Sequence, residues 1–263
     1  MRFKLTAEFL GKSPYILPIN YQYELSAWLY KIIHRGDKDF AVWLHKHGYM
    51  DSKRQYKLFT FSNLSLDKFR AQNDRLIIEN PEAKLIVSFY AGEAAEPFIK
   101  GLFMNSEGSI GDKQSRVNFR ITNVETLPVP SFNDEQTFNT LSPLVVSKLA
   151  DSMEGKPKFL SPEDDNFEEI LFQNLVNKYT AWLLSAGGKE KTINLKTSNN
   201  FSFKLLNKPK SRLITIKSGT EQQTKVRGYM FRFSLKAPVD ILKLGYQSGF
   251  GEKNSLGFGC VEI

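Results

Sequence analysis

Three histidines near the N-terminus are the first residues that could do chemistry. His34, His45 and His47 fall within fourteen residues. An imidazole can accept or donate a proton near neutral pH, because its unperturbed pKa is about 6.5. The histidines lack the HExxH spacing of a zinc site, and the single cysteine, Cys260, lies far away in sequence. We therefore expect no metal and no cofactor, and each imidazole is either a proton-transfer group or an ordinary structural or surface residue.

The helical period sorts these residues into faces. The first predicted helix has an apolar stripe centred near Leu29, and at about 100° per residue Tyr30 falls roughly 130° from that centre. Tyr30 is thus predicted on the solvent face, alongside His34. On the next helix His47 shares the apolar stripe, as a packing or capping residue would, whereas His45 lies roughly opposite and is better placed to meet a substrate.

A glycine-rich segment near the C-terminus is the second candidate. Five of the chain's 17 glycines fall within residues 245–259. Glycine lets backbone N–H groups approach a phosphate closely. The segment is compatible with an RNA-backbone cradle or a tight turn before the last strand. A nucleotide loop fits less well, because no long helix follows to supply a dipole. The candidate binding residues are Gly249, Gly251, Lys253, Asn254, Ser255, Gly257 and Gly259.

Positive charge is concentrated in one stretch. The chain carries +8 overall, and eight basic residues against one acid leave +7 within residues 189–217. Such a stretch either binds phosphates or forms a solvated edge whose lysines oppose aggregation. Charge density predicts phosphate contacts from Lys204, Lys208, Lys210, Arg212, Lys217, Arg227 and Arg232.

Composition excludes several classes of protein. A length of 263 residues suits one large domain or two small ones, and a hydrophobic fraction of 41% suffices for a buried core. A single cysteine excludes an internal disulfide framework. Residues 1–19 lack the apolar core of a signal peptide, and no apolar run approaches a membrane span. We therefore expect a soluble, cytoplasmic protein without a membrane partner.

Strand and helix patterns occur in the same order in both halves. The first half predicts a strand over 1–9, a helix capped by Asn20, a short helix capped by Asp37, strands over 56–61 and 84–90, a helix over 92–104 and a strand over 116–124. The second half predicts strands over 138–146, 201–206, 212–217, 228–235 and 257–263, with a helix over 162–184 and a helical turn over 238–242.

Each half is compatible with βαββαβ. The predicted fold is therefore α+β, with two tandem ferredoxin-like (RRM-like) domains over residues 1–127 and 135–263. Pro128 and Pro130 mark the linker between them. A single doubly wound sheet fits less well, because strands often follow strands without an intervening helix.

These residues together resemble a known family. The chain is similar, nearly end to end, to the CRISPR-associated repeat endoribonucleases of the RAMP superfamily, which cut CRISPR transcripts into guide RNAs. The matching motifs are segments 18–21, 43–45, 57–62, 101–105, 140–143 and 244–259. The last segment, with the Lys-Leu-Phe-Thr-Phe-Ser block at 57–62, is the most specific. The family fold of two ferredoxin-like domains agrees with the predicted one.

The resemblance implies a site and a reaction. It places catalytic roles on Tyr30, His45 and Lys57, while variation within the family keeps His34 and His47 as alternatives. The implied reaction is metal-independent attack of a ribose 2′-OH on the adjacent phosphate. His45 and Tyr30 would share the proton transfers, with base and acid unassigned between them, and Lys57 would stabilise phosphate charge.

The resemblance also implies partners and leaves alternatives. CRISPR repeat RNA, as precursor and product, is the implied partner, while effector-complex subunits and a second copy of the chain stay open. A non-catalytic RAMP-type subunit that holds guide RNA is the alternative function, although retention of His45 and Lys57 argues against it. A general RRM-like binder is weaker still, because no RNP1-type stretch lies on a predicted central strand.

Overall fold

A computed structural model describes residues 1–51, 54–90, 92–149, 157–187 and 201–263. The helices are α1 (Gln22–Gly36), α2 (Lys38–Lys46), α3 (Gly92–Met104), α4 (Phe167–Ser185) and α5 (Val239–Ser248). Strands of the first half are β1 (Arg2–Leu10), β2 (Tyr15–Pro18), β3 (Tyr49–Met50), β4 (Gln55–Tyr56), β5 (Phe59–Phe61), β6 (Ser65–Leu66), β7 (Phe69–Gln72), β8 (Arg75–Ile78), β9 (Glu82–Phe89), β10 (Glu107–Gly111) and β11 (Arg116–Thr126).

Strands of the second half are β12 (Glu135–Thr140), β13 (Ser147–Leu149), β14 (Pro157–Phe159), β15 (Ser202–Leu205), β16 (Lys210–Ile216), β17 (Thr224–Met230), β18 (Arg232–Lys236) and β19 (Val261–Glu262), and a 3₁₀ turn spans Asn254–Leu256. No described helix is long and apolar enough to cross a membrane.

The first sheet is ferredoxin-like. Its strands run β10-β11-β1-β9-β5, with β6 also on β9, and every pairing is antiparallel. The four strands β1, β5, β9 and β11, with α1 and α3 between them in the chain, form the βαββαβ unit. Helices α1 and α3 pack closely, because a Cβ at Gly36 would overlap the Pro97 carbonyl and one at Gly101 the Ile32 carbonyl. Glycine at both crossings allows the two backbones to touch.

The second sheet repeats the arrangement. Its order is β15-β18-β12-β19, again antiparallel, with α4 after β12 and α5 after β18. Phe138, Phe233 and Leu235 are buried on its inner face. The prediction of tandem ferredoxin-like units is confirmed, and the doubly wound alternative is wrong, because a doubly wound sheet requires parallel neighbours.

The two sheets share one buried core, and the link between them begins at the second residue. A contiguous cluster of buried side chains runs from Phe3 in β1 to Val261 in β19. Arg2 is 2% exposed and donates hydrogen bonds to the carbonyls of Val261 and Tyr246. Its guanidinium also lies 4.2 Å from the centre of the Tyr246 ring. The C-terminal half is thus anchored on the first strand.

Several predicted boundaries are wrong for local reasons. α1 begins at Gln22 after Tyr21, and no side chain caps it, so Asn20 is not its cap. The strand predicted over 56–61 is broken at Leu58, whose φ of +50° separates β4, which pairs with β3, from β5, which pairs with β9. Similarly, Phe231 separates β17 from β18 in the strand predicted over 228–235.

The two helices of the second half also differ from prediction. α4 starts five residues late, because the Asp164 carboxylate accepts the Ser161 N–H and closes a separate turn at 161–164. The turn predicted over 238–242 is the start of α5, which continues to Ser248 and absorbs the beginning of the glycine-rich segment. The cap on α2 is confirmed, since Asp37 accepts the Phe40 N–H at 2.9 Å.

Candidate active site

Tyr30 and His45 meet between the first two helices. Tyr30 lies on α1 and His45 in the last turn of α2, and their ring centres are 5.6 Å apart at an interplanar angle of 83°. Phe59 of β5 contacts the other side of the Tyr30 ring at 5.5 Å. Tyr30 is therefore half-buried, and its predicted position on the solvent face is wrong, because α2 and β5 cover that side of α1. His45 is exposed, as predicted.

Burial determines what Tyr30 can do. Loss of solvent raises the pKa of its phenol to about 12, and a hydrogen bond with the Ser255 side chain opposes this shift. The hydroxyl is consequently protonated at neutral pH and serves as a hydrogen-bond or proton donor. Ser255 belongs to the 3₁₀ turn, so the glycine-rich loop reaches the same site from the second half of the chain.

Lys57 lies beside this pair but points at backbone. Its ammonium donates to the carbonyls of Leu44 and His45, the latter at 2.7 Å, at the C-terminal end of α2. Partial burial lowers the pKa of Lys57 to about 8. A cation at a helix C-terminus is favourable because the last carbonyls carry partial negative charge. Lys57 thus holds the backbone that carries His45 and does not face the groove.

The groove beside the pair contains the alternative histidine. It measures about 390 Å³ and is lined by Tyr30, Lys31, His34, Arg35, Ala41, Val42, His45 and Lys46. The exposed His34 therefore shares a surface with His45. His47 is outside this lining, and its backbone N–H caps α2 by bonding the Trp43 carbonyl at 2.7 Å. The cations around the groove suit a phosphate.

The glycine-rich loop is packed more tightly than a phosphate cradle. Gly249, Gly251, Gly257 and Gly259 are all buried and all have positive φ. A Cβ at Gly251 would overlap the Val145 carbonyl. These glycines are required by the turn itself, because only glycine adopts such φ values without strain while another backbone passes this close.

Asn254 is committed within the loop. Its amide donates to the carbonyls of Phe250 and Phe258, each at 3.0 Å, and its oxygen accepts from Lys178 at 2.6 Å. The predicted RNA donor is thus already used inside the protein. Lys253 and Ser255 are partly exposed, and both line a second cavity described below.

Sequence reasoning missed Lys178. This lysine of α4 is 2% exposed and donates to the carbonyls of Gly249 and Gly251 as well as to Asn254. Burial lowers its pKa to about 7, against an opposing effect of Glu252. The available signal was its place on the apolar stripe of α4, three residues after the buried Leu175.

A second cavity, a cleft of about 410 Å³, is lined by Lys57, which is not among the lining residues of the groove. Its described lining comes from both halves of the chain: residues 54–59 of the first, and α4, Ser147, Pro157 and the glycine-rich loop of the second. Lys57 and Ser255 connect the cleft to the Tyr30–His45 pair. Among the residues that the structure describes, no three His, Cys, Asp or Glu side chains cluster so that they could hold a metal ion.

The predicted basic residues occupy two surfaces. Lys210, Arg212 and Arg227 are exposed on the β16–β17 hairpin, whose buried face packs on Val145 and Phe258. Lys204 and Arg232 are exposed on the uncovered face of the second sheet, and Lys208 is exposed in the turn between the two surfaces. Lys217 is half-exposed and bonds Gln222. Lys189, Lys191 and Lys196 lie outside the described residues.

Two protein families together match nearly the whole chain. "CRISPR-associated protein Cas6, N-terminal" matches residues 16–125, and "CRISPR associated protein Cas6, C-terminal" matches residues 125–263.

Individual relatives agree with the family match. CRISPR-associated endoribonuclease Cas6 1 of Methanocaldococcus jannaschii is 30% identical over 249 residues, covering 94% of this chain and 87% of the relative. A CRISPR-associated endoribonuclease-like protein Cas6 of Pyrococcus furiosus is 27% identical over 100% of this chain and 98% of its own. The solved structure of a Cas6-related gene product from Pyrococcus furiosus superposes with a TM-score of 0.81 at 26% identity, covering 100% and 98% of the two chains.

Proposed function

The chain belongs to the Cas6 family of CRISPR-associated endoribonucleases, and from this premise we propose that it cuts CRISPR precursor RNA within the repeat by 2′-OH attack, without a metal. The observation that carries this proposal is the contact of Tyr30 with His45 beside a groove lined by cations. The two side chains supply the proton donor and acceptor that such a reaction needs.

The reaction assigns one proton transfer to each side chain. The His45 imidazole takes the proton of the ribose 2′-OH, whose oxygen attacks the adjacent phosphorus. The bond to the 5′-oxygen breaks, leaving a 2′,3′-cyclic phosphate and a 5′-OH. Tyr30, whose phenol is protonated at neutral pH, donates toward that leaving oxygen. Each positioned proton transfer typically contributes about 10²–10⁴-fold in rate.

Charge stabilisation and positioning fall to different lysines and arginines. Lys31, Arg35 and Lys46 line the groove and oppose the negative charge that develops on the phosphate oxygens. Lys57 acts as a positioning residue, because its ammonium binds the carbonyl of His45 itself. The exposed basic residues of the β16–β17 hairpin bind the RNA backbone by charge.

A second candidate function is binding of guide RNA without cleavage. The observation that favours it is that Lys57 is occupied by backbone carbonyls, and the Pyrococcus furiosus relative matched over its full length is named endoribonuclease-like.

Cleavage of repeat RNA in EDTA separates the two functions. We expect the protein to cut this RNA with the metal chelated, and to leave uncut the same RNA carrying a 2′-deoxy nucleotide at the cleavage site. Binding without cutting supports the second candidate. A requirement for added metal contradicts the proposed mechanism.

The histidine assignment is tested in the same assay. His45→Ala should reduce the cleavage rate by at least about 10²-fold, because one proton transfer is lost, and should leave RNA affinity within a few fold. His34→Ala, in the same groove, is the matched control and should retain most of the activity. If His34→Ala abolishes cutting while His45→Ala does not, the roles are reversed.

A further inference from the structure

The cleft that Lys57 lines contains a polar atom that no residue described by the structure satisfies. Asn174 lies on α4 and is 5% exposed. Its side-chain oxygen Oδ1 is buried without a hydrogen-bond partner, and the residue lines the cleft. A buried acceptor without a donor is unfavourable, because it has lost its hydrogen bonds to water. No described residue supplies the donor, so a ligand or a water in the cleft can supply it.

Among the described lining residues of the cleft, Asn174 alone has a buried side-chain atom without a partner, and the neighbouring lysine differs from it. Lys178 follows one helical turn later and lines the same cleft. All three of its N–H groups have acceptors, in Gly249, Gly251 and Asn254. Every N–H of the Lys178 ammonium thus bonds the glycine-rich loop, whereas Asn174 Oδ1 has no hydrogen-bond donor among the described residues.

The rest of the lining describes the ligand. Arg54, Lys57 and Lys253 bring positive charge to the cleft, while Leu58 and Phe59 provide apolar wall. The cavity of about 410 Å³ is within the roughly 300–1,000 Å³ range of small-molecule sites. A ligand that is anionic, has an apolar face and carries an N–H donor matches a nucleotide.

We propose that this cleft receives one unpaired nucleotide of the RNA beside the scissile phosphate, and that Asn174 Oδ1 accepts a hydrogen bond from the amino group of its base. The inference rests on the proposed function, because the cleft reaches the Tyr30–His45 pair through Ser255 and Lys57. Single-stranded RNA is commonly read through the edges of splayed bases. Adenine, cytosine and guanine carry an amino group, whereas uracil has none.

Binding of uncleavable RNA tests this inference apart from catalysis. We would measure fluorescence anisotropy with labelled 2′-fluoro decamers of adenosine, cytidine and uridine, which cannot react by 2′-OH attack. Wild-type protein should bind the adenosine or cytidine decamer about tenfold more tightly than the uridine decamer, the effect of one net hydrogen bond. Asn174→Leu should remove this preference and leave uridine binding unchanged.

Two variants keep the test independent of folding. Asn174→Asp retains the acceptor and should keep the preference even if Asn174→Leu folds poorly. Gln173→Leu makes a comparable change on α4 at an exposed residue that bonds Asn177 and is not among the lining residues, and it should also keep the preference. Equal affinity of the wild type for all three decamers, or a preference that survives in Asn174→Leu, overturns the inference. Neither outcome bears on whether the protein cuts RNA.

Discussion

At the scale of single residues, burial decides which titratable groups can act. Tyr30 is covered by α2 and β5, and this burial raises the pKa of its phenol and disfavours the phenolate, so the side chain meets the groove as a protonated hydroxyl. Lys57 and Lys178 both look like phosphate ligands by type, yet both donate to backbone carbonyls. Chemistry is left to the side chains that still face the groove.

Lys178 predicts a pH dependence of stability. Its pKa in the folded protein is lowered to about 7, while an unfolded lysine titrates near 10.4. Between pH 7 and about 10.4 Lys178 binds a proton in the unfolded chain but is largely deprotonated in the folded protein. Its contribution to the free energy of unfolding therefore rises with pH. The free energy of unfolding of wild type relative to Lys178→Met should therefore increase between pH 7 and 10, by at most about 1.4 kcal/mol per pH unit.

Urea denaturation of both proteins at each pH measures this difference. Subtracting the Lys178→Met values removes the titration that the two proteins share. If the free energies of unfolding of the two proteins change in parallel from pH 7 to 10, the pKa of Lys178 is not lowered by burial and the prediction is wrong.

At the scale of elements, the glycine-rich loop is built for contact with its own chain. It closes over Lys178, and its 3₁₀ turn packs on β5 and α1, where Ser26 donates to the Ser255 carbonyl at 2.6 Å. Any distortion of the loop therefore moves Ser255 away from Tyr30. The fold of the loop thus holds Ser255 beside Tyr30.

Alanine substitution separates close packing from backbone preference. Gly259 and Gly187 have nearly the same φ, +71° and +74°. A Cβ at Gly259 would overlap the Phe250 carbonyl, whereas one at Gly187 has no atom of the described residues within 4 Å. Gly259→Ala should lower the free energy of unfolding by at least about 2 kcal/mol more than Gly187→Ala, because overlap is added to strain. Thermal or urea denaturation measures both, and equal losses would mean that the loop can move aside.

The β16–β17 hairpin makes a prediction about salt. If Arg212 and Arg227 contact phosphates, the double change to glutamine should weaken RNA binding and flatten the plot of log affinity against log salt by about 0.7 per lost contact on single-stranded RNA. The control double variant, Lys4→Gln with Lys84→Gln, removes lysines paired with Glu125 and Glu82 on the first sheet. That control should leave the slope of log affinity against log salt unchanged. If the slope is also unchanged in the arginine variant, the hairpin does not contact RNA phosphates.

At the scale of the whole molecule, the two ferredoxin-like units act as one body around the site. Tyr30, His45 and Lys57 come from the first unit, while Ser255, Asn174 and Lys178 come from the second. Arg2 links the units through the Val261 carbonyl and the Tyr246 ring.

Arg2 is therefore expected to matter for stability far more than a neighbouring cation. Arg2→Leu leaves buried carbonyls without donors and should cost about 1–3 kcal/mol for each. Lys4, two residues along β1, pairs with Glu125 at 3.2 Å in an exposed position, and Lys4→Ala should cost less than about 1 kcal/mol. Urea denaturation checks both, and a loss in Arg2→Leu no larger than in Lys4→Ala would contradict the linking role.

Local sequence patterns predicted the architecture and the neighbourhood of the site. Alternation in β1 and the helical stripe of α1 predict buried faces, because they depend on local periodicity alone. The same reasoning, with the family resemblance, brought Tyr30, His45 and Lys57 together as candidates. It could not show that Tyr30 is covered, since the covering residue Phe59 belongs to a different element.

Only the tertiary structure decided the partners of these residues. Lys178 meets Asn254 from 76 positions away, and Arg2 meets Val261 from 259. Periodicity tells which side of an element is buried, but it contains no information on which distant carbonyl or amide will lie opposite. For that reason the sequence assigned Asn254 to RNA and overlooked both Lys178 and Asn174. Those assignments depend on how two separately predictable units pack against each other.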